Sequence, residues 1–211
     1  MCEPEWSVID VGANLGYHTV HLANLVGKKG SVLAVEANPD NCLLINAAVE
    51  ANHFSNVQVL PCALGSERGW SYFTTHVGTN GGLLGDKSAK PVVGAGTVVP
   101  LFRMDDLLNV NMPLNLIKVD VEGAEGLVMQ GGSENLARHR PVVISEFSFD
   151  MLRRVSGWDP RQYLEVFRQL DYRLNVIDKE SPGNLVPQDY DELLESWPDE
   201  FHIEDLLLTP R

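Results

Sequence analysis

The chain is poor in cysteine and in positive charge, and it has no long apolar run. Its three cysteines, Cys2, Cys42 and Cys62, are odd in number, far apart and without metal-ligand spacing. A disulfide scaffold is therefore not the organising device, and the simplest setting is a reduced, cytoplasmic one. No apolar stretch approaches the roughly 20 residues of a membrane span. Residues 1–7 are polar and acidic, which does not read as a signal peptide. Lys and Arg number 16 against 29 Asp and Glu, for a net charge of −13. Without a run of Lys or Arg, that balance offers no footprint for nucleic acid or an anionic membrane. Internal repeats, low-complexity tracts and domain linkers are also missing.

What remains is an ordinary soluble composition, 44% hydrophobic and 21% charged, over 211 residues. It fits one domain spanning 1–211 with a core that needs no staples. Short apolar runs alternate with helical patterns: strands at 8–11, 31–36 and 57–60, with helices between them. The rhythm breaks at about residue 65. Residues 65–100 are rich in Gly, Thr and Ser, with two strands, 70–75 and 97–103, around a Gly-rich loop. Strands then resume at 114–121, 141–147, 172–177 and 205–209, with helices at 123–130, 159–170 and 189–196. Such alternation predicts an α/β fold with a mostly parallel sheet and helices on both faces.

The most informative stretch is Asp10-Val11-Gly12-Ala13-Asn14-Leu15-Gly16. An apolar strand ends in an acid, then a glycine turn opens a helix. Gly12 and Gly16 let a ligand approach the backbone. The spacing is neither the Gly-x-Gly-x-x-Gly of dinucleotide folds nor a phosphate loop, and no Lys or Arg follows it. Asp10 instead suits a cation, such as the ammonium of S-adenosylmethionine (SAM). Glu36 ends the second strand about 20 residues further on, where an acid can accept from both ribose hydroxyls. In the loop after the third strand, where an adenine would lie, stands Cys62.

Ligands of open parallel sheets bind outside the carboxyl ends of the strands. Asp10, Glu36, Asp120 and Glu146 all end predicted strands, so chain order alone gathers four carboxylates on one edge. A hydroxyl acceptor needs a base within hydrogen-bond reach. The candidates are Asp120, Glu122, Glu146, Lys118 and a histidine, His18 beside the glycine loop or His76 in the insertion. Lys118 shares a strand face with Asp120, where it serves as a base if desolvated or as an ion-pair partner. Asp120 and Glu146 could together hold a divalent cation, but no third ligand is evident, so no metal is expected. Thr79, Asn80 and the aromatics Trp70, Tyr72 and Phe73 are candidates for substrate contact.

The segments VIDVGANLGYHTV, AVEANPDN, CALGS, RMDDLL, LIKVDVEGAE and VVISEF, in this order and spacing, closely resemble the FkbM family of SAM-dependent methyltransferases. The resemblance covers nearly the whole chain, although the family usually has a longer lead-in before the first motif. It implies a class I methyltransferase (Rossmann-like) fold, with a seven-stranded sheet whose last strand is antiparallel. It also implies methyl transfer to a hydroxyl of a small molecule or glycan. Asp10, Gly12, Asn14, Gly16 and Glu36 would hold SAM, joined by Ala13, His18, Ala37, Asn38, Cys62 and Ala63. Asp120 would lie beside the methionyl end or the acceptor. Two other readings stay open, a non-catalytic SAM-binding module and an NAD(P)-dependent oxidoreductase on a similar sheet.

Overall fold

The computed structural model describes residues 2–75, 81–83, 96–108, 112–181, 183–199 and 201–211. The candidates His76, Thr79 and Asn80 lie outside the described residues. Strands β1 (Ser7–Val11), β2 (Ser31–Glu36) and β3 (Val57–Pro61) alternate with helices α1 (Tyr17–Val26) and α2 (Pro39–Ala51). Next come β4 (Ala63–Leu64), β5 (Gly69–Thr75), β6 (Gly81–Leu83), β7 (Gly96–Phe102) and the single turn α3 (Met104–Leu107). The alternation resumes with β8 (Leu116–Val119), α4 (Glu125–Gly131), α5 (Ser133–His139), β9 (Val142–Ser148), α6 (Phe149–Val155), α7 (Pro160–Gln169) and β10 (Tyr172–Ile177). It closes with β11 (Leu185–Gln188), α8 (Tyr190–Glu195) and β12 (Ile203–Pro210).

Local chemistry sets the helix starts. Asn38 accepts from the Asp40 N–H and Asp159 from the Arg161 N–H, each just before a proline in the first turn of α2 or α7. These are side-chain caps on pre-organised N-termini. The main sheet runs β11-β10-β12-β9-β8-β1-β2-β3. Its β3-β2-β1-β8-β9 block is parallel. β12 is antiparallel to both neighbours, β9 and β10. The sheet thus has eight strands rather than seven. The addition is β11, a four-residue edge strand that contains Pro187 and is mostly exposed. A proline-bearing edge strand has no alternating face to betray it. β4, β7, β5 and β6 form a separate four-stranded sheet in the expected insertion.

Period-two alternation splits β1 between two cores. Ile9 and Val11 pack with Val128, Leu152, Tyr163 and Phe167 from α4, α6 and α7. Val8 packs with Leu22, Ala23 and Val26 of α1 on the opposite face. Each fully buried aliphatic side chain of this kind stabilises the fold by roughly 1.5–3 kcal/mol. Strand order reverses between β1 and β8, so a crevice opens outside their carboxyl ends.

Candidate active site

The glycine loop is pinned to the sheet from both sides. Gly12 and Ala13 donate to the Val35 carbonyl at 2.9 and 3.1 Å. Gly12 has φ +75, and a Cβ there would stand 1.9 Å from the Asp120 carbonyl oxygen. Both facts demand glycine. Asn14 also adopts positive φ, 51°, which Asn tolerates better than most residues. Glu36 joins the two loops that follow β1 and β2. Its Oε2 accepts from the Asn14 N–H at 2.7 Å and its Oε1 from the Asn38 N–H at 2.7 Å. Burial raises the Glu36 pKa, and the two backbone donors work against that rise. Asn41 adds a 3.2 Å bond from its Nδ2 to Asn14 Oδ1.

Asp10 is fully buried, and Thr19 Oγ1 donates to its Oδ2 at 2.7 Å. Its Oδ1 accepts no hydrogen bond but lies 3.4 Å from Lys118 Nζ. Lys118 also donates to the Gly12 carbonyl at 3.1 Å and stands 3.5 Å from Asp120 Oδ2. The cation facing Asp10 thus comes from the chain itself. Of the two roles open to Lys118, the geometry is that of an ion-pair partner spanning β1, the glycine loop and the rim.

Beyond β8 the chain makes a tight excursion. Glu122 (φ 54) and Gly123 (φ 98) are both left-handed. A Cβ on Gly123 would meet the Met151 carbonyl at 2.4 Å. Glu125, fully buried at the start of α4, holds this turn by accepting from the Val121 N–H (2.9 Å) and the Gly123 N–H (3.3 Å). Burial pushes its pKa up to about 7 despite those donors. Glu146, on the neighbouring β9, is pushed up to about 8 by burial first, then by Asp120, Glu125, Glu122 and Asp205. Burial and Asp120 also raise Glu122. Five carboxylates therefore sense one another on this edge. Among the described residues no three His, Cys, Asp or Glu side chains converge as metal ligands.

The structure brings Asp10, Glu36, Lys118, Asp120, Glu122 and Glu146 to one edge of the parallel block, with Gly12, Ala13, Asn14 and Gly16 beside them. Cys62 and Ala63 are buried, and burial drives the Cys62 thiol up to about 11, away from thiolate chemistry. Ala37 packs with Ala63, Phe73 and Val99, so Phe73 is core, whereas Trp70 is exposed. His18 is exposed on the first turn of α1, edge-on to the Tyr17 ring. Sequence reasoning passed over Thr19, Asn41 and Glu125. Their signal was weak, since a polar residue in a first helical turn usually caps or faces water. Only the acid three residues past Glu122, at the mouth of a helix, hinted at a turn-closing role.

A strand-order reversal, a glycine loop at that point and acids on the strand ends define a protein of the class I methyltransferase fold. The chain belongs to the methyltransferase FkbM domain family, which it matches over residues 10–174. Solved structures agree on the fold. The FkbM methyltransferase of Methylobacillus flagellatus aligns at TM-score 0.60 and 15% identity, over 99% of this chain and 45% of that one. A SAM-dependent O-methyltransferase from Thermotoga maritima aligns at TM-score 0.51 and 13% identity, over 99% of this chain and 60% of that one. An rRNA methylase from Streptococcus thermophilus aligns at TM-score 0.50 and 12% identity, over 100% and 90%. The chain thus spans less than half the length of the Methylobacillus protein. A search of curated proteins found no match. The net charge of −13 leaves the question of a nucleic-acid partner open, because net charge says little about one local surface. No helix among the described residues is long and apolar enough to cross a membrane.

Proposed function

We propose that this chain is a SAM-dependent O-methyltransferase acting on a hydroxyl of a small molecule or glycan. The observation that carries the reading is the Gly12 turn, too close to the Asp120 carbonyl for any side chain, set beside a Glu146 carboxyl whose pKa is pushed up to about 8. The glycine loop so fixed lies at the strand-order reversal, where open sheets bind their ligands, and the buried Asp10 braces it through Lys118, which donates to the Gly12 carbonyl. SAM would be held by Gly12, Ala13, Asn14, Gly16 and Glu36, with Ala37, Asn38, Cys62 and Ala63 around the nucleoside. Once bound, it supplies an electrophilic methyl carbon on a sulfonium.

The chain's own work is then to place the acceptor and take its proton. Glu146 in its ionised form accepts the hydroxyl proton at a carboxylate oxygen. A carboxylate with a raised pKa is a stronger base than an exposed one. Asp120, Glu122 and Lys118 fix the shape and charge of the floor, and alignment of the acceptor is worth several kcal/mol, up to roughly ten. Calorimetry with SAM tests the first half of this reading. Incubation with methyl-labelled SAM and a panel of sugars and polyketide-type alcohols tests the second. Absence of SAM binding would overturn it, and binding without transfer to any hydroxyl would favour a non-catalytic module.

A further inference from the structure

Two buried hydroxyls meet at the carboxyl end of β9. β8 pairs with β9 only as far as Val119, opposite Ser145. Glu146 therefore stands one residue past the last rung with β8, and only β12 flanks it in the sheet, with Asp205 opposite. Period-two alternation sends the Glu146 side chain to one face and those of Ser145 and Phe147 to the other. On that second face Ser145 meets Tyr163 of α7, and both residues are fully buried.

Ser145 Oγ donates to the Glu146 carbonyl at 2.7 Å and lies 2.7 Å from Tyr163 Oη. A hydroxyl has one hydrogen to give. Ser145 gives its own to Glu146, so Tyr163 is the donor in the second bond. Burial raises the Tyr163 pKa, so the phenol keeps that proton at any working pH. Tyr163 is itself held. It lies in the first turn of α7, whose start is capped by Asp159 and followed by Pro160. Its ring stacks on Phe147 at 5.9 Å and 27° and meets Phe167 edge-on at 5.4 Å. Two donated bonds thus run from a fixed helix start to the backbone of Glu146, where the β8 ladder no longer holds it.

We infer, on the base role proposed above for Glu146, that Tyr163 and Ser145 are positioning residues, which fix the β9 backbone so that the Glu146 carboxyl meets the acceptor proton. Tyr163→Phe removes the oxygen and keeps the ring, whereas Ser145→Ala removes the bond to Glu146 itself. Carboxyl-carbon NMR, with the Glu146 signal assigned through Glu146→Gln, reads the titration of that group directly. In both variants its pKa should fall from about 8 by roughly one pH unit or more, as the side chain moves toward water and away from Asp120, Glu122, Glu125 and Asp205. On any sugar or polyketide-type alcohol that the labelled-SAM panel identifies, kcat should fall roughly tenfold or more, while KM and the SAM Kd stay within about twofold. Urea unfolding supplies the contrast. Lost stability with the Glu146 titration unmoved, or with transfer unchanged, marks an ordinary core hydrogen bond and overturns the inference. SAM calorimetry separates the two failures. Cofactor binding and transfer with an unmoved Glu146 remove this inference alone, whereas no cofactor binding removes the parent reading.

Discussion

At the scale of single residues, Gly12 and Gly27 make a controlled pair. Both have positive φ, +75 and +67, but a Cβ on Gly12 would meet a backbone oxygen at 1.9 Å while one on Gly27 meets nothing within 4 Å. Gly27, with ψ −176, lies in a region open essentially to glycine alone, so Gly27→Ala should cost about 1–3 kcal/mol of backbone strain without a clash. Gly12→Ala adds a clash against backbone that cannot swing aside, and should cost about 2–4 kcal/mol in all. Urea unfolding of both variants measures the difference, and calorimetry should show SAM binding lost only in the first. Glu146 supplies the second residue-scale prediction. Burial and the neighbouring acids push its carboxyl up to about 8, and the proposed base role requires the ionised form, so methyl transfer should rise with pH through that value. Glu146→Gln should remove this limb and slow transfer by roughly 10²–10⁴-fold. A pH–rate series on the variant and its parent checks both effects.

At the scale of elements, the turn between β8 and α4 is closed by a carboxyl that pays for its burial. Glu125 titrates at about 7, against 4.5 when unperturbed. Because its folded pKa is raised, the stability it confers is fully present below about 4.5 and is lost as pH rises through about 7. Glu125→Gln keeps an acceptor for the Val121 and Gly123 N–H groups and cannot ionise. Its urea midpoint should match the parent at pH ~5.5 and exceed it at pH ~8.5, by on the order of 2–3 kcal/mol in free energy. Some pH slope should persist, since Glu36, Glu122 and Glu146 are raised too. The element scale also shows what a sequence can reveal. β1, β2 and β9 were legible because each is a short apolar run ended by an acid or a helix signal. The strand expected over 114–121 shrank to Leu116–Val119, because the backbone must leave the sheet early to reach the left-handed pair at 122–123. α6 was missed, since Arg153 and Arg154 mask a helix that buries only Leu152 fully. Within the site, the strand-end carboxylates were legible from chain order. The pairing of Lys118 with Asp120 was legible from their shared strand face, but its reach to Asp10 and the Gly12 carbonyl was not, because the register of β1 against β8 decides which groups it meets.

At the scale of the whole molecule, charge and topology act together. A chain of net charge −13 places Asp10, Glu36, Asp120 and Glu146 at the ends of adjacent parallel strands, and its nearest lysine is already paired. Field lines from such a low-dielectric edge concentrate in the crevice. SAM carries a sulfonium and an ammonium against one carboxylate, whereas S-adenosylhomocysteine has lost the sulfonium charge. The edge should thus draw in the methyl donor and hold the demethylated product less firmly. Salt should erase the distinction, because the screening length falls from about 30 Å at 0.01 M to about 8 Å at 0.15 M. Stopped-flow association at these two ionic strengths should show the SAM on-rate falling several-fold and that of S-adenosylhomocysteine changing little. Equal salt dependence for the two ligands would mean that the acidic edge does not sense the sulfonium, so that the carboxylates that add to the burial-raised pKa of Glu146 play no part in bringing the cofactor in.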